Sequence, residues 1–310
     1  MGSVLVLDIG GAGGIRAARM KDGSVTSRSG ATVSPEASRA QVVTAWHEVV
    51  ADLGASDDDD GDVAFGVAFP GFLDASGLVE PGIYVLAMAG MDLRRELQPI
   101  LPDRPVVVLP DLAAAALAEA RAPGRSRRVL CVGLGTGTNA AFVSDGRVVD
   151  VAAGCLGDAG HVIVEEGGPL CRCGGRGCLE AICSGYALAE AGRGLGFADA
   201  GAIVEAARSG DGAALQLLGR AGRALGRAIA SWAVMTFPDE VVVVGGLAGA
   251  GEWLLGPAMG ELRQTGQPAR VGALSIYPGI YGPDAVLNGA ALAAADVAAA
   301  GPSDADAASA

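Results

Sequence analysis

Short runs of consecutive apolar residues, each followed by a turn rich in Gly, Pro or Asp, recur along the chain. Four of them occupy residues 4–7, 63–69, 106–109 and 129–134, and a fifth covers 241–244. Apolar runs of this length, bounded by turn residues, are typical of strands buried on both faces of a sheet. The pattern therefore predicts an α/β protein with largely parallel central strands.

Segments with apolar residues three and four positions apart alternate with these strands and predict helices. The first is expected to start at Ser34, as N-cap before Pro35, and to end at Gly54. Others are predicted, on spacing or alanine content, over residues 112–120, 184–193, 199–209, 211–236, 251–263 and 286–299. Strands separated by helices are the signature of an α/β fold.

The order of elements repeats within the chain. An apolar strand, a glycine-rich turn, a second strand and an Asp-Gly hairpin turn occur from residue 4 to Gly23, and again from residue 129 to Gly146. Two similar β units, each presenting one glycine-rich turn, are therefore predicted.

The segment Ala122–Arg128, rich in Pro, Gly and Arg, is the predicted domain boundary. We expect a smaller N-terminal α/β domain of residues 1–121, completed by the C-terminal helix at about 286–300. A larger C-terminal domain is expected over residues 122–285. The small and acidic residues 301–310 are predicted to be a disordered tail.

Composition narrows the class of partner. The chain has 310 residues, 51% of them apolar, a formal net charge of −13 and a pI near 4.6. This charge argues against nucleic acid as a partner. Neither a secretory signal nor an apolar run of about 18 residues is present, so we expect a cytoplasmic protein without a membrane span.

One stretch brings together residues that bind transition metals. His161, Cys171, Cys173 and Cys178 fall within eighteen residues, among several glycines. One imidazole and three thiolates form a tetrahedral zinc set, and four protein ligands make the site structural. Six cysteines are too few for a disulfide scaffold in a chain this long, and Cys131, Cys155 and Cys183 are expected to be buried thiols.

Two acidic residues follow predicted strands. Asp8 precedes the turn Gly10–Gly14, where backbone N–H groups can approach a phosphate while the carboxylate holds Mg²⁺. A plain glycine-rich hairpin is the alternative interpretation. Asp111 follows the strand at 106–109, where α/β folds bind ligands. An ordinary helix N-cap explains Asp111 equally well from sequence alone.

Taken together, these motifs resemble the ROK family of sugar kinases and related repressors over nearly the whole chain. The resemblance rests on Asp8-Ile9-Gly10-Gly11, Asp111, Leu134-Gly135-Thr136-Gly137, Asp158-Ala159-Gly160-His161, Cys171 to Glu180, and Gly245-Gly246. It implies a two-domain actin-like ATPase fold, related to ribonuclease H, with a zinc-binding loop. Family repressors carry a DNA-binding domain before the first phosphate loop. Here that loop starts at residue 8, so the enzyme branch is favoured.

The resemblance also implies roles for individual residues in transferring phosphate from ATP to the 6-hydroxyl of a hexose. Asp111 would be the general base, and Asp158, His161 and Glu180 would bind substrate hydroxyls. The residues implied for ATP and Mg²⁺ are Asp8, Gly10, Gly11, Ala12, Gly135, Thr136, Gly137, Gly245 and Gly246. Family members are often dimers or tetramers, so a homodimer or homotetramer is expected.

The departures from the family pattern concentrate at the substrate end. Pro110 replaces an Asn, Asp158 replaces a Glu, and Tyr84 lies in an altered substrate segment. A substrate hydroxyl left without a partner costs about 1–3 kcal/mol, so an aminosugar such as kanosamine is predicted over plain glucose. A cyclitol is a second possibility. Ala12 and Asn139, in the two phosphate loops, leave open a sugar-binding protein without turnover.

Overall fold

The structure, a computed structural model, describes residues 2–11, 13–34, 36–54, 61–81, 86–151 and 154–300. Three residues named above, Ala12, Pro35 and Tyr84, lie outside the described residues, as does the predicted tail 301–310.

Ten strands and nine α-helices are formed by the described residues. The strands are β1 (Ser3–Ile9), β2 (Gly14–Lys21), β3 (Ser24–Thr32), β4 (Asp62–Phe69), β5 (Val106–Pro110), β6 (Arg128–Leu134), β7 (Thr138–Ser144), β8 (Arg147–Val148), β9 (Glu240–Val244) and β10 (Ile276–Pro278). The helices are α1 (Arg39–Ala51), α2 (Leu93–Leu97), α3 (Asp111–Ala120), α4 (Gly185–Arg193), α5 (Ala200–Arg208), α6 (Gly212–Thr236), α7 (Glu252–Thr265), α8 (Pro268–Val271) and α9 (Ala285–Ala300).

Two compact units divide the chain. The first comprises the residues up to Ala118 together with those from Asp284 onward, and the second is Glu119–Pro283. The first unit thus takes its last helix, α9, from the C-terminal end of the chain.

The first unit is built on a five-stranded sheet in the order β3-β2-β1-β4-β5. β1 is antiparallel to β2 and parallel to β4, which is parallel to β5. Every residue of β1 is buried, because α1 and α2 cover one face of the sheet and α9 covers the other. This explains why β1 lacks the alternation of apolar and polar residues that a half-exposed strand shows.

The second unit repeats this topology. Its sheet has the order β10-β9-β6-β7-β8, with β6 antiparallel to β7 and parallel to β9. Read from β8, the order matches that of the first sheet strand for strand. The repeat seen in the sequence therefore corresponds to two sheets of one design, each with a glycine-rich turn after its central strand.

One helix starts later than the sequence predicted, and two short elements were not predicted. Helix α1 begins at Arg39, and Ser38 is its N-cap in a reciprocal capping box with Gln41. The predicted start at Ser34 was wrong: Ser38 is the N-cap, where its side chain accepts the Gln41 N–H and the Gln41 side chain accepts the Ser38 N–H. These two donors at the start of α1 have no acceptor within the helix, and the capping box satisfies both. α2 and β10 were not predicted, since five and three residues carry too little periodicity.

A helix that is both long enough and apolar enough to cross a membrane does not occur in the described parts of the chain.

Candidate active site

Asp8 lies near the carboxyl end of β1, just before the first glycine-rich turn. Its side chain is buried and faces Arg16, its direct cross-strand neighbour on β2, whose Nε donates to Asp8 Oδ2 at 2.9 Å. The Arg16 Nη2 donates to the same oxygen. Burial raises the pKa of Asp8, and the Arg16 guanidinium opposes that rise. The pair keeps a carboxylate at the edge of the sheet despite its burial.

Asp111 begins α3, directly after β5, and its Oδ1 accepts the Leu112 N–H at 2.6 Å. Because β1, β4 and β5 are parallel, Asp8 and Asp111 lie at the same edge of the sheet. Burial raises the pKa of Asp111 to about 7, the Asp8 carboxylate adds to the rise, and the Leu112 N–H opposes it. Asp111 therefore has the acidity of a proton acceptor that works near neutral pH.

The first glycine-rich turn is closed by its own backbone. The Gly10 N–H donates to the Gly14 carbonyl at 2.7 Å, and the Gly13 N–H donates to the Gly10 carbonyl at 3.0 Å. Gly13 has φ +82°, and a Cβ there would collide with the Val33 carbonyl oxygen. Glycine is thus required at position 13. The Gly10 N–H is already used in a hydrogen bond within the turn.

The second turn, Gly135-Thr136-Gly137, joins β6 to β7 in the same way. The Gly135 N–H donates to the Gly137 carbonyl at 3.0 Å. Gly245, at the end of β9, has φ +92°, and a Cβ there would lie 2.5 Å from the Leu134 carbonyl oxygen. Two of the three glycine segments expected to hold ATP, residues 135–137 and 245–246, are therefore in contact within the second unit, and Gly246 begins a short 3₁₀ helix beside them.

The four expected zinc ligands come together. The ligand atoms of His161, Cys171, Cys173 and Cys178 all lie within 4.8 Å of one another. Cys173 Sγ and Cys178 Sγ are 3.7 Å apart, and Cys171 Sγ is 3.5 Å from His161 Nδ1. Tetrahedral zinc, with Zn–S of about 2.3 Å and Zn–N of about 2.0 Å, requires separations of ~3.8 Å and ~3.5 Å. The residues present therefore fit a zinc ion.

Two acidic residues flank this cluster in different settings. Glu180 is buried, and its Oε2 accepts the Thr138 N–H at 3.0 Å. Oε1 of Glu180 accepts no hydrogen bond from the part of the chain that the structure describes. Asp158 is 61% exposed, with its Oδ2 3.5 Å from His161 Nε2, the ring nitrogen that faces away from Cys171. Both carboxylates keep an oxygen for a ligand, and Asp158 also orients the imidazole.

Asn139 holds the Asp158–His161 segment in place. Its Oδ1 accepts the N–H groups of Ala159, at 2.9 Å, and of Ala140, at 2.8 Å. A Cβ on Gly160 would collide with the Thr138 carbonyl, so the segment packs directly against β7. The sequence marked Asn139 only as a departure in the phosphate loop, although Asn often hydrogen-bonds nearby backbone.

The structure also describes Pro110 and the three cysteines outside the zinc set. Pro110 is buried as the last residue of β5, paired with Phe69. Cys131, Cys155 and Cys183 are buried, and burial raises the pKa of Cys183 to about 12, which makes its thiol unreactive. Arg16 was not predicted from the sequence, where its one signal is an arginine eight residues after Asp8.

Comparison with known proteins agrees with this picture. The solved structure of a ROK family glucokinase from Streptomyces griseus, in complex with glucose and AMPPNP, superposes with a TM-score of 0.79 at 28% identity. The superposition covers 96% of this chain and 100% of that one. The ROK hexokinase of Thermus thermophilus gives 0.76 at 30% identity with the same coverage. The fold is thus the actin-like ATPase fold of ROK kinases.

Sequence comparison leads to the same family. N-acetylmannosamine kinase from Escherichia coli O139:H28 is 38% identical over 196 residues, which is 63% of this chain and 66% of that protein. The match thus spans slightly less than two thirds of the curated relative's length. The model of the ROK family matches residues 4–296. On this match, which covers nearly all of the described sequence, the chain belongs to the ROK family.

Proposed function

We propose that this chain is an ATP-dependent sugar kinase that phosphorylates the 6-hydroxyl of a hexose or aminohexose, with Asp111 as the general base. The observation that carries the proposal is the position of Asp111 at the carboxyl edge of the first sheet, with a pKa raised to about 7. An alcohol attacking a phosphoryl group needs a nearby acceptor for its proton, and a carboxylate of this acidity can serve.

The chain offers groups for each remaining part of the reaction. The N–H groups of Gly11, Thr136 and Gly137 are the ones we assign to the phosphates, since Gly10 and Gly135 use theirs within the turns. Asp8 would supply a carboxylate oxygen to the Mg²⁺ that accompanies ATP, because oxygen ligands suit that cation. A bound Mg²⁺ neutralises phosphate charge during transfer.

Substrate binding is assigned to the zinc side of the second unit. Glu180, through Oε1, and Asp158 would accept hydrogen bonds from substrate hydroxyls. His161 would bind the substrate through its Nε2–H, a donor when Nδ1 holds the zinc. Zinc at His161, Cys171, Cys173 and Cys178 would hold these side chains in place. Pro110 offers neither a side-chain amide nor a backbone N–H, so the pattern of hydroxyl contacts differs from that of a typical family member.

An aminohexose is the preferred substrate class. The relative at 38% identity is named for N-acetylmannosamine, an aminohexose, and the departures at Pro110 and Asp158 favour a substrate other than glucose. A coupled ADP-release assay over glucose, N-acetylmannosamine, kanosamine and a cyclitol would rank them. We expect highest kcat/KM with an aminohexose. Highest kcat/KM with glucose or a cyclitol would overturn that choice and leave the kinase assignment standing.

Asp111→Asn tests the kinase assignment itself. Asn begins a helix as well as Asp does, so the variant keeps the local structure and loses only the base. We expect kcat to fall by about 10²–10⁴-fold with nucleotide binding unchanged. Asp199→Asn, at the N-cap of α5, is the matched control and should leave kcat unchanged. Binding without turnover in the wild type, on every sugar tested, would instead indicate a non-catalytic sugar-binding protein.

Two further expectations stay predictions. A homodimer or homotetramer would be tested by light scattering on the purified protein, and cytoplasmic localisation by fractionation of the source cells. Asn139, one of the two departures that left open a protein without turnover, hydrogen-bonds to the N–H groups of Ala159 and Ala140, which supports an ordered site.

A further inference from the structure

Gly185 and Tyr186, which follow the zinc ligands in the chain, are hydrogen-bonded one by one to the second glycine-rich turn, residues 135–137, called the second phosphate turn from here on. The Gly185 N–H donates to the Gly135 carbonyl at 2.8 Å, and the Tyr186 N–H donates to the Thr136 carbonyl at 3.2 Å. On the far side of the turn, Thr138 donates its N–H to Glu180 and its hydroxyl to the Cys183 carbonyl. The turn therefore has little freedom to move independently of residues 180–186.

The approach between the two segments is close. A Cβ on Gly185 would lie 2.8 Å from the Gly135 carbonyl oxygen and 3.6 Å from the Thr136 Cα. Gly185 and Tyr186 are the first two residues of α4, so the start of this helix sits directly against the phosphate turn. A small displacement of α4 would displace the turn with it.

One side chain of the zinc loop reaches this helix. The guanidinium of Arg172 stacks over the Tyr186 ring, with its carbon 3.4 Å from the ring centroid. Arg172 lies between Cys171 and Cys173, so two metal ligands fix its backbone on either side. The position of the guanidinium thus depends on the folding of the zinc loop.

We propose that Arg172 is a positioning residue for the nucleotide: through Tyr186 it transmits the order of the zinc loop to the second phosphate turn. The chain of contacts is zinc ligands, Arg172, the Tyr186 ring, the Tyr186 N–H and the Thr136 carbonyl. Thr136 and Gly137 then present their N–H groups at a fixed position. The inference rests on the proposed function only in taking residues 135–137 as the site for nucleotide phosphates.

Arg172→Ala should loosen the turn without removing the metal. A cation–π contact at a partly exposed site corresponds to roughly a two- to five-fold change in an equilibrium. We therefore expect two- to five-fold weaker binding of a non-hydrolysable ATP analogue by calorimetry, and faster hydrogen exchange of the Gly185 and Tyr186 amides. Zinc content by elemental analysis should stay at the wild-type value.

Arg176→Ala is the matched control. Arg176 lies in the same loop, also between two ligands, and carries the same charge, but its Nη1 donates to the Gly168 carbonyl. Its removal should leave nucleotide affinity and the exchange of residues 185–186 unchanged. Arg172→Lys retains a cation over the ring and should restore part of the lost affinity.

A double-mutant cycle separates positioning from direct contact. If Arg172 acts through the ring, Tyr186→Leu should reproduce the Arg172→Ala effect, and combining them should add nothing. Weaker nucleotide binding in Arg172→Ala alone, with Tyr186→Leu normal, would show that Arg172 touches the nucleotide and overturn the proposal. Unchanged amide exchange in Arg172→Ala would overturn it as well. The exchange measurement needs neither nucleotide nor sugar, so it stands even if the kinase assignment fails.

Discussion

At the scale of single residues, the two carboxylates of the first sheet have unequal surroundings. Asp8 is paired with Arg16, whereas Asp111 accepts the Leu112 N–H and lies near the Asp8 charge. Environments that give two neighbouring carboxyl groups different pKa values are typical of sites where one group accepts or donates protons and the other binds a cation. Asp111 is then the group whose protonation changes near neutral pH.

The raised pKa of Asp111 predicts a pH-dependent stability difference. An unfolded Asp titrates near 3.8, and the folded one near 7, so between these values the folded state holds a proton that the unfolded state has released. The contribution of Asp111 to stability therefore declines as pH rises through this window. Asp111→Asn, which cannot ionise, should exceed the wild type in melting temperature by more at pH 8 than at pH 5. An equal difference at both pH values would contradict the assigned pKa.

The same group predicts the pH profile of activity. As general base, Asp111 acts only when ionised, so kcat/KM of the wild type should rise with pH and level off above about 7. Arg16→Ala removes the cation beside Asp8 and should raise the pKa of Asp8 further, since burial then acts unopposed. A flat wild-type profile between pH 5 and 8 would argue against Asp111 as the base.

At the scale of elements, glycines in helices allow close packing of backbones. In α9 a Cβ on Gly289 would collide with the backbone of Ala114 in α3, and in α6 one on Gly222 would collide with the Leu254 carbonyl of α7. Glycine normally destabilises a helix relative to alanine. At these positions the contact between elements outweighs that preference.

Two glycine substitutions with opposite expected signs test this account. Gly289→Ala should destabilise the protein by about 1–3 kcal/mol, because the methyl group forces α9 away from α3. Gly260→Ala, in the exposed part of α7 with no atom near the added Cβ, should stabilise it by about 0.5–1 kcal/mol. Urea denaturation of both variants measures the difference. If both substitutions stabilised the protein, α9 could move away from α3 at little cost in free energy, which would contradict this account.

At the scale of the whole molecule, the metal is expected to contribute to stability. Four ligands drawn from residues 161–178 close the loop, and binding only to the folded state stabilises it in proportion to the logarithm of zinc concentration over Kd, about 4 kcal/mol at 1,000-fold excess. Residues 180–186, which carry Glu180 and the contacts to the phosphate turn, follow this loop directly.

Zinc removal should therefore lower both melting temperature and nucleotide affinity. We expect about one zinc per chain by elemental analysis of protein purified without chelator. Cys178→Ser should lose the metal, while Cys131→Ala, a buried thiol outside the cluster, should keep it. A chelator should then lower the melting temperature of the Cys131→Ala protein and leave that of Cys178→Ser unchanged. Wild-type protein without zinc would refute the ligand assignment.

The sequence by itself determined the features that depend on neighbouring residues. Apolar runs located β1, β4, β5, β6 and β9, and glycine-rich turns located the loops after β1 and β6. The spacing of Cys171, Cys173 and Cys178 after His161 sufficed to predict that these four possible metal ligands come together, because a short glycine-rich loop can bring its own ligands together. The start of α1 was missed even though it is local, since two serines competed as N-cap.

Only the tertiary structure decided what depends on residues far apart in the chain. The partner of Asp8 is set by strand register, which pairs it with Arg16. The acidity of Asp111 follows from its burial and from the charge of Asp8, more than a hundred residues earlier. The supports of the second phosphate turn, Glu180 and Tyr186, come from a segment some fifty residues further on. Such contacts leave no periodic trace in the sequence, because burial and hydrogen bonding are fixed only when the elements pack together.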